Sequence, residues 1–284
     1  MLTLLEVLRR TADYLGSKGV ESPRLEAEWL LASVLGLKRL DLYLQFERPL
    51  GEGELDALRP LVRRRAGREP LQYVLGETEF CGLTLKTDRR ALIPRPETER
   101  LAELVGRRVN GPPGRILDLG TGTGALAFAL LHTWPEAVAV AVDRSDEALS
   151  LARENAVALG LVERVKLVCS DWYAGLAGEE PFDLIVANPP YLTAEEWRTA
   201  EPEVREYEPR EALEAERSGL AALEAVVAGA GPFLRAGGLV ALETGVEHCE
   251  PLADHAARHG FGAVEAETDY HERDRYLFLR ITEC

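Results

Sequence analysis

A glycine-rich segment is the first part of the sequence whose residue types and spacing indicate chemistry. It follows a strand-like run at residues 116–119 and consists of Gly120, Thr121, Gly122, Thr123 and Gly124. Glycines at this spacing let the backbone turn tightly and let a ligand approach without interference from Cβ atoms. Asp143 ends the next predicted strand, where a carboxylate can bind both hydroxyls of a ribose. This glycine segment therefore predicts, with Asp143, a site for a ligand that contains a ribose.

Two cofactors fit the glycine segment. Gly120, Gly122 and Ala125, together with Asp143, match the fingerprint of a dinucleotide site, so NAD stays open on this motif alone. Asp118, just before the turn, favours S-adenosylmethionine, because the charged amino-acid end of that cofactor needs an acidic or carbonyl partner rather than a pyrophosphate site.

The tetrapeptide Asn188-Pro189-Pro190-Tyr191 follows residues 184–187, a run typical of a buried strand. The carboxyl ends of strands in an open α/β sheet share one crevice, so the tetrapeptide should face the same ligand as the glycine segment. The prolines lack two N–H donors and leave carbonyl groups that can accept from a guest. Asn188 offers one acceptor and two donors, which match a planar amide or the edge of an aminopurine, and Tyr191 offers a flat face. The tetrapeptide predicts an amino or amide substrate.

The first seventy residues have the spacing of amphipathic helices. Thr3 and Glu6 form the pattern of a capping box, and Ser22 before Pro23 predicts a second helix start. Pro60 lies within a third helical pattern, where a proline predicts a kink or a break. These residues predict a small helical domain.

Beyond residue 70 the pattern changes twice. Residues 71–92 suggest short strands around turns, at 73–75 and 80–85, which predicts a hairpin linker. After Ile93 strands and helices alternate, as in a parallel α/β sheet. The predicted strands are 115–119, 137–142, 165–169, 184–187 and 239–243, and the predicted helices are 96–109, 126–133, 146–159, 220–234 and 247–259. Residues 263–267 and 276–280 predict a final hairpin.

The composition excludes several classes of protein. The 284 residues contain no apolar run near the roughly 18 residues that span a bilayer. Glu6 interrupts the apolar start, where a signal peptide needs an unbroken apolar core, so a cytoplasmic protein is expected. A net charge of −15 disfavours a binder of duplex DNA. The four widely spaced cysteines, including Cys284, predict reduced thiols and no zinc site.

Motifs spread over nearly the whole chain resemble those of one family. They are residues 70–73, Gly76, Phe80, residues 92–99, the glycine segment, Asp143, residues 170–172, 188–191 and 204–209. Together they resemble the release factor glutamine methyltransferases of the HemK/PrmC type. Enzymes that methylate the amino group of adenine share residues 188–191, whereas residues 93–99 are much more specific to this family. Residues 269–272 depart from the family pattern, which affects only a C-terminal loop.

The resemblance implies an α/β fold with a Rossmann-like, seven-stranded class I methyltransferase domain at 93–284. A small all-helical domain at 1–70, which docks the substrate protein, and a β-hairpin linker at 71–92 are implied to precede it. The implied reaction transfers a methyl group from S-adenosylmethionine to the side-chain amide nitrogen of a glutamine. That glutamine belongs to the Gly-Gly-Gln motif of class I peptide chain release factors. No membrane partner and no direct specific binding of nucleic acid are expected.

The resemblance also implies roles for single residues. The implied catalytic residues are Asn188, Pro189, Pro190 and Tyr191, and these also bind the substrate together with Phe80 and Arg95. Asn188 and the Pro189 carbonyl are expected to bond the glutamine amide, with Pro190, Tyr191 and Phe80 bracketing its plane. The expected cofactor-binding residues are Gly120, Thr121, Gly122, Thr123, Gly124, Asp143, Asp171, Trp172 and Asn188. Trp172 is expected to cover the adenine ring.

Other features have simpler interpretations. The residues Arg95, Glu97, Thr98 and Glu99 either close the active site or form a capped helix start, in which Thr98 and the acids serve the helix dipole. Residues 63–65 and Arg68 are interpreted as a solvated helix end rather than a contact for a release factor or RNA. His255 and His259 have the spacing of metal ligands, but a surface helix face is favoured because no acidic third ligand is evident, and no metal site is expected.

Other functions stay open at this point. The first is amino-methylation of adenine in DNA or RNA, which the net charge of −15 and the presence of only four lysines disfavour. The second is an NAD-dependent oxidoreductase built on the same glycine segment. A non-catalytic adaptor that uses the helical domain is more distant.

Overall fold

A computed structural model describes residues 1–281 of the chain, so Cys284 lies outside the described residues. The chain divides into two compact units. The helical unit consists of Met1–Glu77 together with the separate segment Glu201–Tyr207. The sheet unit consists of Thr78–Ala200 and of the chain from Glu208 onward. The sequence pattern did not indicate that Glu201–Tyr207 belongs with the first helices.

Eleven α-helices form within residues 1–281. In chain order they are α1 (Leu4–Ser17), α2 (Pro23–Leu35), α3 (Glu52–Ala66), α4 (Leu71–Leu75), α5 (Pro96–Arg108), α6 (Ala125–Thr133), α7 (Asp146–Ala158), α8 (Ala194–Thr199), α9 (Pro202–Tyr207), α10 (Ala221–Ala230) and α11 (Cys249–Arg258). Short 3₁₀ helices lie at Arg39–Leu44, Val162–Arg164, Arg210–Ala212 and Gly231–Phe233. The five helices predicted after Ile93 are α5, α6, α7, α10 and α11, with ends shifted by a few residues.

Nine strands accompany the helices within the same residues. They are β1 (Glu77–Phe80), β2 (Leu83–Lys86), β3 (Arg115–Leu119), β4 (Val138–Asp143), β5 (Val165–Cys169), β6 (Phe182–Ala187), β7 (Leu234–Glu243), β8 (Phe261–Thr268) and β9 (Asp274–Ile281). The first two form a hairpin, and the other seven form one sheet in the order β5-β4-β3-β6-β7-β9-β8. Strand β9 runs antiparallel to both neighbours. The predicted α/β class with a seven-stranded sheet is confirmed.

The sequence signals for helix starts and helix breaks in the helical unit agree only in part with the structure. The capping box is present, since the Thr3 hydroxyl accepts from the Glu6 N–H and the Thr3 N–H donates to the Glu6 carboxylate. Ser22 is the N-cap residue of α2 and Pro23 begins the helix, as predicted, although the Ser22 side chain makes no capping hydrogen bond. Pro60 lies inside α3, which runs without a break from Glu52 to Ala66.

The predicted strand at residues 73–75 was wrong, because these residues belong to α4. Gly76 adopts a left-handed conformation, with φ of 82°, and its N–H donates to the Gln72 carbonyl at 2.7 Å. This closes the helix after little more than one turn. Tyr73 and Val74 are both buried, so packing outweighs the strand propensity of these residues.

The core of the sheet unit explains why its strands were easy to predict. Along β3, Ile116 belongs to one hydrophobic cluster, whereas Leu117 and Leu119 belong to another on the opposite face. Helices α5 and α6 contribute to the first cluster, and α10 and α11 contribute to the second. Strands covered on both faces are apolar throughout, and their sequence stands out.

Candidate active site

The predicted site residues meet at the carboxyl edge of the sheet, where β3, β4 and β6 end. A cavity of about 460 Å³ lies there within the sheet unit, inside the range of roughly 300–1,000 Å³ that holds small ligands. The predicted residues that line it are Gly120, Gly122, Asp143, Asp171, Trp172, Asn188 and Pro190. These residues come from four separate stretches of the chain, so the fold brings the two main motifs to one ligand site.

The glycines at positions 122 and 124 serve different purposes. Gly122 lines the cavity with φ of 54°, and a Cβ atom built there would have only Ala91 nearby, at 3.9 Å. Gly124 has φ of 85°, and a Cβ atom there would lie 2.1 Å from the Phe128 ring. Gly122 thus leaves space for a ligand, whereas Gly124 leaves space for the core of α6.

Asp118 braces the glycine segment from inside. Its carboxylate accepts from the Thr121 hydroxyl at 2.6 Å and from the Ala127 N–H at 3.2 Å. The side chain is only 1% exposed, and burial raises its pKa to about 7. Both donors contact the same oxygen, Oδ2, and Asp118 does not line the cavity, so a direct contact with the amino-acid end of the cofactor stays a prediction.

Asp143 stands at the end of β4, where the sequence predicted a carboxylate that binds the hydroxyls of a ribose. It lines the cavity, and its two oxygens accept from the Gly122 N–H at 2.9 Å and the Ser145 N–H at 3.0 Å. Burial raises the pKa of this carboxyl group above its usual value, and the two N–H donors oppose that effect. These backbone bonds fix the carboxylate between the glycine segment and the start of α7.

Thr121 and Thr123, both predicted to bind the cofactor, are buried and do not line the cavity. The Thr123 carbonyl accepts from the Asn155 side chain at 3.0 Å. The same side chain exchanges two hydrogen bonds with the Lys86 backbone, at the end of β2. Asn155 was not predicted, and it fastens the glycine segment to the hairpin.

Asn188 is half-buried at the cavity wall, directly after β6. Its Nδ2 donates to the Thr98 hydroxyl at 2.9 Å. That hydroxyl donates in turn to Oε2 of Glu243 at 2.7 Å. A primary carboxamide has two N–H donors and one acceptor oxygen, so one N–H and Oδ1 are left for a ligand in the cavity.

Tyr191 belongs to the same network. Its hydroxyl donates to Oε1 of Glu243 at 3.1 Å, and burial raises the pKa of the Tyr191 phenol far above its usual value. Pro190 lines the cavity, whereas Pro189 is buried. The tetrapeptide thus presents Asn188 and Pro190 to the cavity, and the Tyr191 hydroxyl is held by a buried acid.

Asp171 and Trp172 follow β5 and lie at the cavity wall as predicted. Asp171 is exposed, and Trp172 is half-buried in a left-handed conformation with φ of 46°. The ring of Trp172 lies 3.8 Å from the position that a Cβ atom of Gly120 would take. An aromatic face therefore stands beside the glycine segment, where it can cover a planar base.

Two residues predicted to contact the substrate do not line the cavity. Phe80 is 1% exposed, packs in a hydrophobic cluster of the sheet unit and does not line the cavity, so its predicted contact with the substrate stays a prediction. Arg95 does not line the cavity; its guanidinium pairs with the buried carboxylate of Glu208. The other oxygen of Glu208 accepts from the Ile93 N–H at 3.1 Å. Arg95 therefore joins two motifs of the chain and holds the start of α5.

The arginines near the end of α3 are mostly paired within the helical unit. Arg64 pairs with Glu69, and Arg65 pairs with Glu26 and with Glu203 at 2.8 Å. Arg68 pairs with Glu203 at 2.6 Å, so it fastens α9 to α3. Arg65 is buried and Arg68 is half-buried, so these two side chains hold the unit together. Residues 63 and 64 are exposed, as the predicted solvated helix end requires.

A metal centre has no counterpart among residues 1–281, where no group of three His, Cys, Asp or Glu residues could hold an ion. The rings of His255 and His259 lie at the end of α11 with centroids 4.3 Å apart and planes tilted by 30°. Over the same residues, none of the helices has the length and apolar character needed to cross a membrane.

Sequence reasoning missed two residues of the network. Thr98 was interpreted as part of a capped helix start or of a segment that closes the active site, but not as a partner of Asn188. Glu243 was interpreted only as the end of a predicted strand. A buried acid at the carboxyl end of a strand is an unusual feature, and that was the one available signal for Glu243. Its partners lie 145 and 52 residues away in the chain, so no local pattern reveals them.

Comparison with known proteins identifies relatives of the whole chain. Residues 6–76 match the family described as PrmC N-terminal domain, and residues 98–203 match the Methyltransferase small domain. The chain is 43% identical over 279 residues to a release factor glutamine methyltransferase of Geobacter sulfurreducens, covering 98% of this chain and 97% of that protein. It is 43% identical over 282 residues to the protein of the same name from Deinococcus radiodurans, covering 98% and 99%. A methyltransferase structure from Pyrococcus furiosus shares the fold, with a TM-score of 0.53, 18% identity and coverage of 70% and 88%.

Proposed function

The chain belongs to the release factor glutamine methyltransferase family, and we propose that it methylates the glutamine of the Gly-Gly-Gln motif in class I peptide chain release factors. As a member of this family it is an S-adenosylmethionine-dependent methyltransferase. The methyl acceptor in this proposal is the side-chain amide nitrogen of that glutamine. The motif and the class of release factor are what the proposal adds to the family assignment.

The observation that carries the proposal is the state of Asn188. One N–H of its carboxamide is committed to Thr98, and the other N–H and Oδ1 remain at the cavity wall. A glutamine side chain offers the matching pair, since its NH2 donates and its carbonyl accepts. An amide placed against Asn188 therefore makes two hydrogen bonds in one plane, which fixes the position of its nitrogen.

The cavity residues fit the cofactor. When bound, S-adenosylmethionine supplies an electrophilic methyl group on a positively charged sulfur. Asp143 offers carboxylate oxygens for the ribose hydroxyls, and Trp172 offers a face for the adenine. The missing side chain at Gly122 leaves the wall of the cavity open beside them. The exposed carboxylate of Asp171 adds negative charge to the same wall.

The contribution of the chain to catalysis is positioning. An amide nitrogen is a weak nucleophile, because its lone pair is delocalised into the carbonyl group. Asn188 holds that nitrogen and orients its plane, and Pro190 at the cavity wall limits its movement. Positioning of this kind supplies roughly 7–11 kcal/mol of a barrier. The residues that line the cavity include no histidine and no cysteine, so neither is placed to act as a covalent nucleophile there.

The partners and location follow from the same proposal. The substrate is a translation protein, so we place the enzyme in the cytoplasm, without a membrane partner and without direct specific binding of nucleic acid. Two of its cysteines, Cys81 and Cys169, are exposed free thiols, which suits a reducing compartment. The helical unit is the part that we assign to docking of the release factor.

A comparison of substrates tests the proposal. The enzyme is incubated with radiolabelled S-adenosylmethionine and either an intact class I release factor or oligonucleotides of DNA and RNA that contain adenine. We expect label in the release factor and none in the oligonucleotides. Label in the oligonucleotides alone would make the enzyme an adenine amino-methyltransferase instead.

A further inference from the structure

Glu243 is a fully buried acid that contacts two residues of the candidate active site. It ends β7 with 0% of its surface exposed, and its two oxygens accept from two different hydroxyl groups. One belongs to Thr98 at 2.7 Å, and the other belongs to Tyr191 at 3.1 Å. Burying a carboxylate is costly unless it is well hydrogen-bonded, so such a residue needs a physical reason.

Strand register explains how the three elements meet. Strands β6 and β7 are parallel neighbours, with Ala187 opposite Leu242. Asn188 directly follows β6 and Glu243 is the last residue of β7, so both stand at the carboxyl edge of the sheet. Thr98, in the first turn of α5, lies between them and bonds to both. Three elements therefore converge on one chain of hydrogen bonds.

With Glu243 ionised, the direction of the protons in this chain is fixed from its buried end. Burial raises the pKa of this carboxyl group, and the hydrogen bonds from Thr98 and Tyr191 lower it. A hydroxyl group has one proton to donate, and the Thr98 hydroxyl gives it to Glu243. Thr98 Oγ1 can then only accept from Asn188, so the nitrogen of the carboxamide must face Thr98. The opposite orientation would set Oδ1 against Thr98 Oγ1, with no proton between the two oxygens.

We propose that Glu243 and Thr98 are positioning residues that fix the orientation of the Asn188 carboxamide, so that its acceptor oxygen and its second N–H face the methyl acceptor. Through its other oxygen Glu243 also holds Tyr191, so one buried acid orients both ends of the tetrapeptide 188–191. The inference rests on the proposed function, because it concerns how that site presents Asn188 to an amide.

We call the chain of hydrogen bonds from Glu243 through Thr98 to Asn188 the relay. Its loss has a specific consequence. If the carboxamide rotates by half a turn, donor and acceptor exchange places, and the substrate amide meets a donor where it needs an acceptor. Thr98 and Glu243 do not line the cavity. Their loss should therefore slow methyl transfer without weakening the binding of the cofactor.

The first experiment compares Thr98→Val with Thr98→Ser. Valine keeps the shape of threonine but removes the hydroxyl, whereas serine keeps the hydroxyl. Single-turnover methylation of a saturating release factor should fall by at least about 30-fold in Thr98→Val and return to within about threefold in Thr98→Ser. Calorimetry should give S-adenosylmethionine affinities within about threefold for all three proteins.

Thr244→Val is a matched control, since Thr244 is equally buried and follows Glu243 directly. Its hydroxyl donates to the Gly245 carbonyl and takes no part in the relay. Methyl transfer by this variant should stay within about threefold of wild type. A comparable loss in Thr244→Val would mean that any buried change at this edge disturbs the site, and the positioning role would be rejected.

The second experiment combines Glu243→Gln with Thr98→Val. A glutamine has one acceptor oxygen where two hydroxyls now donate, so the single variant should also slow the reaction. Because both residues act through one relay, the double variant should be no slower than the slower single variant, within about threefold. Losses that multiply would show two independent effects. If Glu243→Gln does not fold, the threonine pair decides alone.

The outcomes separate this inference from the proposed function. Transfer by folded Thr98→Val within about threefold of wild type, or a loss matched by equal loss of cofactor affinity, would overturn the positioning role. A wild-type enzyme that binds S-adenosylmethionine but never labels release factor would overturn the proposed function instead. A failure of the positioning role appears in the Thr98→Val variant, whereas a failure of the proposed function appears in the wild-type enzyme.

Discussion

At the scale of single residues, the positions of the protons decide what Asn188 can recognise. Asn188 can recognise an amide because one of its N–H groups is already committed to Thr98. That leaves one donor and one acceptor, the pair that a glutamine side chain complements. The asparagine was predictable from its place after a buried strand, but its orientation was not. The orientation depends on Thr98 and Glu243, which come from other elements.

Replacing Asn188 by aspartate tests this pairing. Asn188→Asp keeps the size of the side chain, but an ionised carboxylate cannot donate to Thr98, whose own proton is held by Glu243. The unpaired acceptor costs about 1–3 kcal/mol, and a negative charge near the sulfonium favours the charged ground state. Methyl transfer should fall at least about 100-fold, which corresponds to near 3 kcal/mol, while cofactor affinity stays level or rises.

Single-turnover experiments on the folded Asn188→Asp variant give the rate of methyl transfer, and calorimetry gives the affinity for the cofactor. Asn110→Asp makes the same chemical change at an exposed position outside the cavity, and it should leave the rate unchanged. Transfer by Asn188→Asp within a few-fold of wild type would show that the recognition of an amide by an amide is wrong.

Asp118 gives a prediction about pH and stability. Burial raises its pKa from the ordinary 3.8 to about 7, so the folded state holds a proton that the unfolded chain has released between these values. The stability that this provides is complete below 3.8 and is lost as the pH rises through 7. Asp118→Asn cannot titrate. The free energy of unfolding of wild type, measured relative to Asp118→Asn, should therefore decline by at most about 4 kcal/mol as pH rises over this window.

Denaturant unfolding at a series of pH values checks this expectation, and effects of other groups cancel in the difference. A difference between the two proteins that is constant over the window, or that rises with pH, would contradict the assignment of the titration to Asp118.

At the scale of elements, prediction succeeded where burial leaves a continuous trace in the sequence. Strands β3, β4, β6 and the second half of β7 are mostly buried and apolar, because helices cover both faces of the sheet there. The glycine segment is visible because a tight turn needs left-handed residues. Neighbours across the sheet were not visible. Strand β7 follows β6 in space, with Glu243 beside Asn188, but no local pattern specifies that pair. Phe80 was assigned to the substrate because a motif contains it, although its environment is the core.

The loop between β3 and α6 can be tested as an element through Gly122. A valine there would meet a strained backbone, with φ of 54°, and would place its side chain in the cavity. Binding of S-adenosylmethionine by Gly122→Val should be abolished, or weakened at least about 100-fold. The backbone strain by itself should lower the free energy of unfolding by about 1–3 kcal/mol.

Gly111→Val is the matched control for strain. Gly111 also has positive φ, at 91°, with nothing near its missing side chain, and it lies in an exposed turn outside the cavity. This variant should be destabilised by the same strain and still bind the cofactor normally. Calorimetry showing near-native affinity in folded Gly122→Val would remove the loop from the site.

At the scale of the whole molecule, the chain contributes to the helical unit twice. In the order of the sequence, the second contribution, Glu201–Tyr207, comes after the tetrapeptide 188–191 and before the cavity residues from Pro209 onward. It is held in the helical unit by Glu203, which pairs with Arg65 and Arg68. No composition shift marks this segment, so the sequence predicted only the first contribution.

Removing residues 1–70 tests the docking role of the helical unit. Because the cavity lies wholly in the sheet unit, the shortened protein should bind S-adenosylmethionine within about threefold of wild type. It should methylate intact release factor at least about 30-fold more slowly, because binding energy from remote contacts is lost. Full-length Glu203→Gln weakens the ion pairs of Glu203 with Arg65 and Arg68 but keeps the helices. This variant should methylate release factor at a rate within a few-fold of wild type. Undiminished methylation by the shortened protein would show that docking lies elsewhere.

The central claim is that the methyl group reaches one glutamine nitrogen in a release factor. Fragmentation mass spectrometry of a class I release factor, after incubation with this enzyme and S-adenosylmethionine carrying an isotopic methyl group, tests it most directly. We expect label on the side chain of the Gly-Gly-Gln glutamine, and none in a release factor with that glutamine replaced by alanine. Label on another residue, or undiminished labelling of the alanine variant, would contradict the claim.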